Sequence, residues 1–198
     1  MTRFSKLILL LSATLWLSAC SSIQPARYAV STANVTNLKP YSHYKAVVSS
    51  MELAQPFDQK CRMIAPIQGI YGQNVAQFMR QAFNDEFQLA DIFDPKGIKI
   101  AGILHYIQFN SQMGVTDLTR GNWQMGLTLR SSNGHQLQVQ HQYLFRSYLD
   151  PVSACNATSH ALTPAVQGLI GKVIEHPDFA KLLSTQTTLG SAVDLGNR

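Results

Sequence analysis

The sequence predicts an α+β fold, an antiparallel-rich four-stranded sheet with two helices on one face in the order β-α-β-β-β-α. Three observations carry this expectation. Two alternating apolar and polar runs flank Asn133-Gly134, the pattern of a β-hairpin. Val75, Phe78, Met79, Ala82, Phe83 and Phe87 recur at helical spacing, as do Val166, Leu169, Ile170, Val173 and Ile174.

The first strand is read in "HYKAVVSSMEL" from His43, followed by a loop with Pro56, Cys61 and Pro66. "GQNVAQFMRQAFNDEFQLADIF" reads as an amphipathic helix of about five turns. It ends by Asp94-Pro95, because the proline ring disfavours a helical residue before it. "IKIAGILHYIQF" from Ile98 is rich in β-branched and aromatic residues on both parities, which suits a central strand.

The hairpin register follows from side-chain polarity. A two-residue Asn-Gly loop would pair Leu127 with Gln140 and Leu129 with Gln138, mixing core and solvent faces along the ribbon. A three-residue loop, Ser132-Asn133-Gly134, pairs Leu129 with Leu137, Leu127 with Val139, Met125 with His141 and Trp123 with Tyr143. The second register is therefore expected, with Gly134 left-handed in a bulge. For the last helix, Thr163-Pro164 reads as an N-cap with proline in the first turn. Gly168 and Gly171 weaken that helix by about 1 kcal/mol each relative to alanine, so they are expected to serve close approach to the sheet. His176-Pro177 ends it before a short terminal turn, Asp178 to Leu183.

The ends lack sustained periodicity. The expected organisation is a signal segment at 1–19, a tether at 20–42 reaching at most ~70 Å if extended, one α+β domain at 43–184, and a flexible tail at 185–198. The chain has 198 residues and a formal net charge of +5. Two of those positive charges, Arg3 and Lys6, lie in the first segment, and the remaining basic residues are scattered. No cluster has the footprint of a nucleic-acid-binding surface, so no nucleic-acid partner is expected.

After Arg3 and Lys6 comes an apolar run from Leu7 to Leu17, broken by Ser12 and Thr14. That is the layout of a secretion signal, and it is shorter than the ~20 apolar residues of a membrane-spanning helix. Leu17-Ser18-Ala19-Cys20 closes the segment and resembles the lipobox of bacterial lipoproteins. The resemblance implies cleavage before Cys20 and acylation of its sulfur, which anchors the chain to a membrane. In Gram-negative lipoproteins an aspartate directly after the lipid cysteine tends to retain the protein in the inner membrane. Ser21 stands there in this chain, so the resemblance implies the periplasmic face of the outer membrane.

Of the three cysteines, acylation of Cys20 leaves Cys61 and Cys155. Each precedes a predicted helix, and the element order places both at the same end of the domain. In an oxidising compartment this predicts a Cys61–Cys155 disulfide. The competing reading is a reactive thiol at a helix N-terminus, where the dipole lowers a thiol pKa.

No sequence motif for nucleophilic, metal or phosphate chemistry is present, so no catalytic residue, metal or cofactor is expected. His105 and His141 could meet across the sheet, although a strand histidine is more often packed than metallated. Asp85, Glu86, Asp91 and Asp94 read as a solvated helix face and turn, with their charge mildly misplaced against the helix macrodipole. Gln136, Gln138, Gln140 and Gln142, opposite Gln124, Thr128 and Arg130, form the solvent face of the hairpin and the candidate partner surface. Gly126 in its middle would admit another backbone.

In size, anchor and element order the chain resembles the small periplasmic lipoproteins that assist envelope machines, such as transport auxiliaries and outer-membrane assembly partners. The resemblance implies a non-enzymatic accessory module, held at the membrane by its lipid, that binds an envelope protein. A lipid or small-ligand carrier with a pocket between helices and sheet is the alternative, and an envelope hydrolase with an unfamiliar site is a third.

Overall fold

The computed structural model describes residues 23, 25, 27–62, 65–67, 73–110 and 120–185. The expected signal segment, Cys20 and positions 186–198 of the expected tail lie outside them. In chain order the elements are α1 (Thr32–Leu38), β1 (Ala46–Leu53), β2 (Lys60–Cys61), β3 (Ala65–Pro66), α2 (Val75–Leu89), β4 (Ile98–Asn110), β5 (Arg120–Ser131), β6 (Gln136–Arg146), α3 (Pro151–Ile174) and α4 (Phe179–Leu183).

The fold is α+β, and its four-stranded sheet has the spatial order β1-β4-β5-β6. The sheet is mixed: β1 and β4 are parallel, and the other two pairs are antiparallel. The parallel pair arises because α2 returns the chain before β4 starts, so two adjacent strands run the same way. α2 packs against β1, and α3 packs against β5 and β6. Between helices and sheet lie the buried side chains of Val48, Phe83, Ile100, Leu104, Trp123 and Leu127. The Trp123 indole donates to the Thr158 carbonyl at 2.9 Å, which satisfies its N–H inside this core.

β1 is an edge strand whose free side is occupied by a side chain. Asn84 on α2 accepts from the Val48 N–H at 2.9 Å and donates to the Val48 carbonyl at 3.1 Å. One amide thus stands in for a neighbouring strand and shields an edge that could otherwise pair with another chain.

The hairpin adopts the expected register, with Leu129 opposite Leu137, Leu127 opposite Val139, Met125 opposite His141 and Trp123 opposite Tyr143. Gly134 has φ 90°, and its N–H donates to Ser131 at 3.0 Å, closing the three-residue loop. Asn133 has a second role that polarity alone does not show. Its side-chain amide donates to the carbonyls of Lys181 and Ser184, at 2.9 and 2.5 Å, and ties α4 to the hairpin tip.

The last long helix starts earlier than Thr163-Pro164. Asp150 is its N-cap, accepting from Ser153 N–H, Pro151 occupies the first turn, and the helix continues through Pro164 to Ile174. An internal proline costs about 3 kcal/mol or more. Ala154, Cys155, Thr158, Ala161 and Leu162, all buried ahead of Pro164, supply the packing that offsets it. These side chains are mostly small or polar, which hid their periodicity. α2 spans 15 residues rather than five turns, and Asp91 just beyond it takes φ 61°.

The expected tether also differs, because positions 27–41 belong to the folded unit. Asn34 and Leu38 of α1 are buried, and Tyr28 packs edge-on against Phe78 with ring centroids 5.9 Å apart. Ile23 donates its N–H to Pro66 at 3.3 Å and forms a parallel bridge with Ile67. Its sequence carries no sustained period because α1 has only about two turns and its apolar neighbours lie outside regular helix or strand.

Cys61 and Cys155 form a disulfide with Cα atoms 5.8 Å apart. It joins the β2–β3 hairpin to the second turn of α3 and closes a loop of 94 residues. A cross-link of that span constrains the unfolded chain by about 4.5 kcal/mol in the chain-entropy treatment. Replacing both cysteines with alanine should lower the urea midpoint by the equivalent of about 2–4.5 kcal/mol, measured by equilibrium unfolding.

Gly168 and Gly171 separate in role. A Cβ on Gly168 would collide with the His141 ring, whereas one on Gly171 would lie 3.1 Å from Asn34 Oδ1. The expectation of close approach to the sheet therefore holds for Gly168, while Gly171 faces α1. Gly168→Ala should lower the melting temperature. Gly171→Ala should lie close to neutral, since about 1 kcal/mol of helix propensity offsets a small shift of Asn34.

Candidate functional site

The residues expected to form a partner surface share one sheet face. Gln124 lies opposite Gln142, Gly126 opposite Gln140, Thr128 opposite Gln138 and Arg130 opposite Gln136. Their alternation with the core-facing Met125, Leu127, Leu137 and Val139 fixes this placement. Gln136, Gln138, Gln140, Gln142 and Arg130 are exposed, while Thr128 is buried and bonded to His105 Nε2 at 2.7 Å. Gln108 donates to Gln124 at 2.8 Å, extending the amide row onto β4.

Gly126 is not open to another backbone. The Tyr106 ring lies on it, and a Cβ there would come within 2.5 Å of Tyr106 Cε1. A β-bulge between Leu104 and Tyr106 turns this ring onto the polar face. Beyond Tyr106, at the end of the sheet, Lys60, Arg62, Gln108, Asn110, Asn122 and Gln124 border a cleft of about 380 Å³. The cleft opens on the polar face and not between helices and sheet.

His105 and His141 lie on opposite faces of the sheet. His105 bonds Thr128 on the polar face, while His141 lies under Gly168. Burial, reinforced by Lys172, holds the His141 pKa below its ordinary value. Among the described residues no cluster of histidine, cysteine, aspartate and glutamate could hold a metal ion. Cys61 and Cys155 are bonded to each other, so the reactive-thiol reading does not apply to them.

The four carboxylates near the end of α2 do not converge. Asp85 accepts from Gln81 at 2.7 Å, Asp91 pairs with Lys39 at 2.9 Å, and Asp94 accepts the Lys96 N–H at 2.8 Å. Glu86 departs from the expected solvated face and is fully buried. Its Oε1 accepts from the Tyr28 hydroxyl at 2.7 Å, the Ser31 N–H at 3.0 Å and Asn34 Nδ2 at 3.4 Å. Asn34 also donates to the Gln167 carbonyl at 2.9 Å, so its one side-chain amide links α1 to both α2 and α3. The mild conflict with the macrodipole was the visible trace of this contact. Burial raises the Glu86 pKa, and the hydrogen bonds from Tyr28, Ser31 and Asn34 only partly oppose it. Burial and the same carboxylate raise the Tyr28 pKa.

No family model and no curated protein matches the chain. Solved structures similar to it include a Xanthomonas campestris protein of family DUF330, at 11% identity and TM-score 0.46, covering 66% of this chain and 84% of that one. A second is a candidate lipoprotein from Caulobacter crescentus, at 14% identity and TM-score 0.41, covering 76% of this chain and 94% of that one.

Two substitutions separate the roles of Glu86. Glu86→Ala leaves the Tyr28 hydroxyl, the Ser31 N–H and one Asn34 bond without their acceptor and should destabilise the domain by about 2–4 kcal/mol. Glu86→Gln keeps an acceptor and should cost far less. Because the native pKa of Glu86 is raised, its contribution is fully present below its ordinary 4.5 and is lost as pH rises through the native value. His141 acts in the opposite sense, its contribution being lost as pH falls below its ordinary 6.5. Urea unfolding across this range should show that Glu86→Gln removes the loss on the alkaline side and keeps the loss attributed to His141.

Proposed function

We propose that this protein is a non-enzymatic envelope lipoprotein, acylated on Cys20, whose domain binds a protein partner at the periplasmic face of the outer membrane. The observation that carries the reading is the Cys61–Cys155 disulfide. It is the form two cysteines take in an oxidising compartment, and it leaves Cys20 as the remaining cysteine, directly after an apolar signal-like run. No helix among the described residues is long and apolar enough to cross a membrane, so the lipid is the attachment this reading assigns.

The partner surface is assigned to the polar sheet face around Gln136, Gln138, Gln140 and Gln142. Both helices cover the other face, which leaves this one as a broad row of amides that can donate and accept hydrogen bonds. The carrier alternative requires a pocket under the helices, where the structure places fully buried side chains such as Phe83, Ile100, Trp123 and Leu127.

Cys20→Ser should release the domain from the membrane fraction of cells expressing the full chain, and persistent membrane association would count against acylation. A photo-crosslinking residue at Gln138 should capture a defined envelope protein, whereas one at exposed Leu89 should not. Recovery of free monomer alone from both positions would remove the support for a partner on this face.

A further inference from the structure

Five large apolar side chains are exposed among the described residues, and four of them, Leu144, Tyr148, Leu149 and Val152, lie together in sequence. They run from the end of β6 to the first turn of α3. Basic groups accompany them. Arg146 lies over the Tyr148 ring, 5.8 Å from its centroid, Arg120 is directly opposite Arg146 on β5, and Arg62 donates to the Leu149 carbonyl at 3.1 Å. Asp150, the acidic side chain of this stretch among the described residues, caps α3 by accepting the Ser153 N–H.

The position of this corner gives it meaning. Ile23 is bonded to Pro66 on β3, β3 pairs with β2, and Cys61 on β2 is bonded to Cys155, one helical turn beyond Val152. Cys20 is three residues before Ile23 and so at most ~11 Å from a fixed point of the domain. A lipid at Cys20 would therefore hold the corner close to the bilayer, not at the end of the ~70 Å reach expected of a free tether.

We infer that the corner formed by Leu144, Tyr148, Leu149 and Val152, with Arg146, is a membrane-docking surface that settles into the anionic headgroup region beside the lipid anchor. The proposal rests on acylation of Cys20. Leucine and valine enter the boundary of the acyl chains, tyrosine sits at headgroup level, and arginine meets lipid phosphates while its stem remains in apolar surroundings. Such a surface can be weak alone, since the anchor already supplies a high local concentration of bilayer. Docking fixes how the domain stands on the membrane, with the hairpin tip pointing away from it.

The test uses the processed acylated protein, beginning at Cys20 and carrying Leu149→Trp or Leu89→Trp, reconstituted in vesicles of phosphatidylglycerol and brominated phosphatidylcholine. Leu89 is the fifth exposed apolar residue, at the end of α2 beside the opposite end of the sheet. Subtracting the parent protein removes the signal of buried Trp123. Tryptophan at 149 should be quenched by roughly twofold or more, as expected 5–10 Å into the interface, and tryptophan at 89 should not. Adding Arg146→Glu to the Leu149→Trp protein should reduce the quenching while flotation with the vesicles persists. Equal, weak quenching at 149 and 89 in protein that still floats would overturn the docking surface and leave the anchor standing. Failure of every variant to float would overturn both.

Discussion

The Cys61–Cys155 disulfide is the constraint on which the rest of the arrangement depends. β2 and β3 contribute only two residues each and could not hold a position by strand pairing alone. Bonding to α3 gives this small ribbon a fixed place against the main sheet. Ile23 then has a docked strand to bond to, and Arg62 can reach the carbonyl of Leu149. The disulfide, with the buried Ile67 beside it, thus holds the start of the described chain and the exposed apolar corner at one end of the molecule.

A second clamp works by the opposite physics. Glu86 places a carboxylate in the interior, where burial penalises its charge, and three donors from the chain ahead of β1 converge on one of its oxygens. The other oxygen, Oε2, has no hydrogen-bond partner among the described residues. Only a segment presenting a tyrosine hydroxyl, a free N–H and an asparagine amide at these positions satisfies this site, so α1 has one place to dock.

Much of the sheet was legible in sequence because its signals are local. Alternation around Asn133-Gly134 fixed both the loop length and the face of every glutamine, since a shift of one residue would have reversed each side chain. The disulfide was legible because element order put both cysteines at the same end. Other features have partners far away in sequence. Thr163-Pro164 is a sound local start signal, and nothing nearby reports that Thr158 faces Trp123 or that Cys155 is tied to β2. Gly126 likewise reads as a gap until the Leu104/Tyr106 bulge turns Tyr106 over it.

The sequence by itself determined the α+β class, the register of the hairpin, the pairing of two cysteines and the polar face of the sheet. The register and the polar face follow from a turn and a parity that a short stretch of chain carries alone, while the class and the cysteine pairing follow from the order of such stretches along the chain. The tertiary structure decided that residues 27–41 belong to the fold, that Glu86 is buried, and that α3 runs through Pro164. In each of these three cases a local preference, for solvent or for a helix break, is outweighed by packing against residues tens of positions away. Tertiary structure also placed the exposed Leu144, Tyr148, Leu149 and Val152 at the end of the sheet where the disulfide joins α3 to β2. The cross-link from Cys61 to Cys155, the burial of Ile67 and the Arg62 bond to the Leu149 carbonyl together bring the β2–β3 ribbon to that end of the molecule.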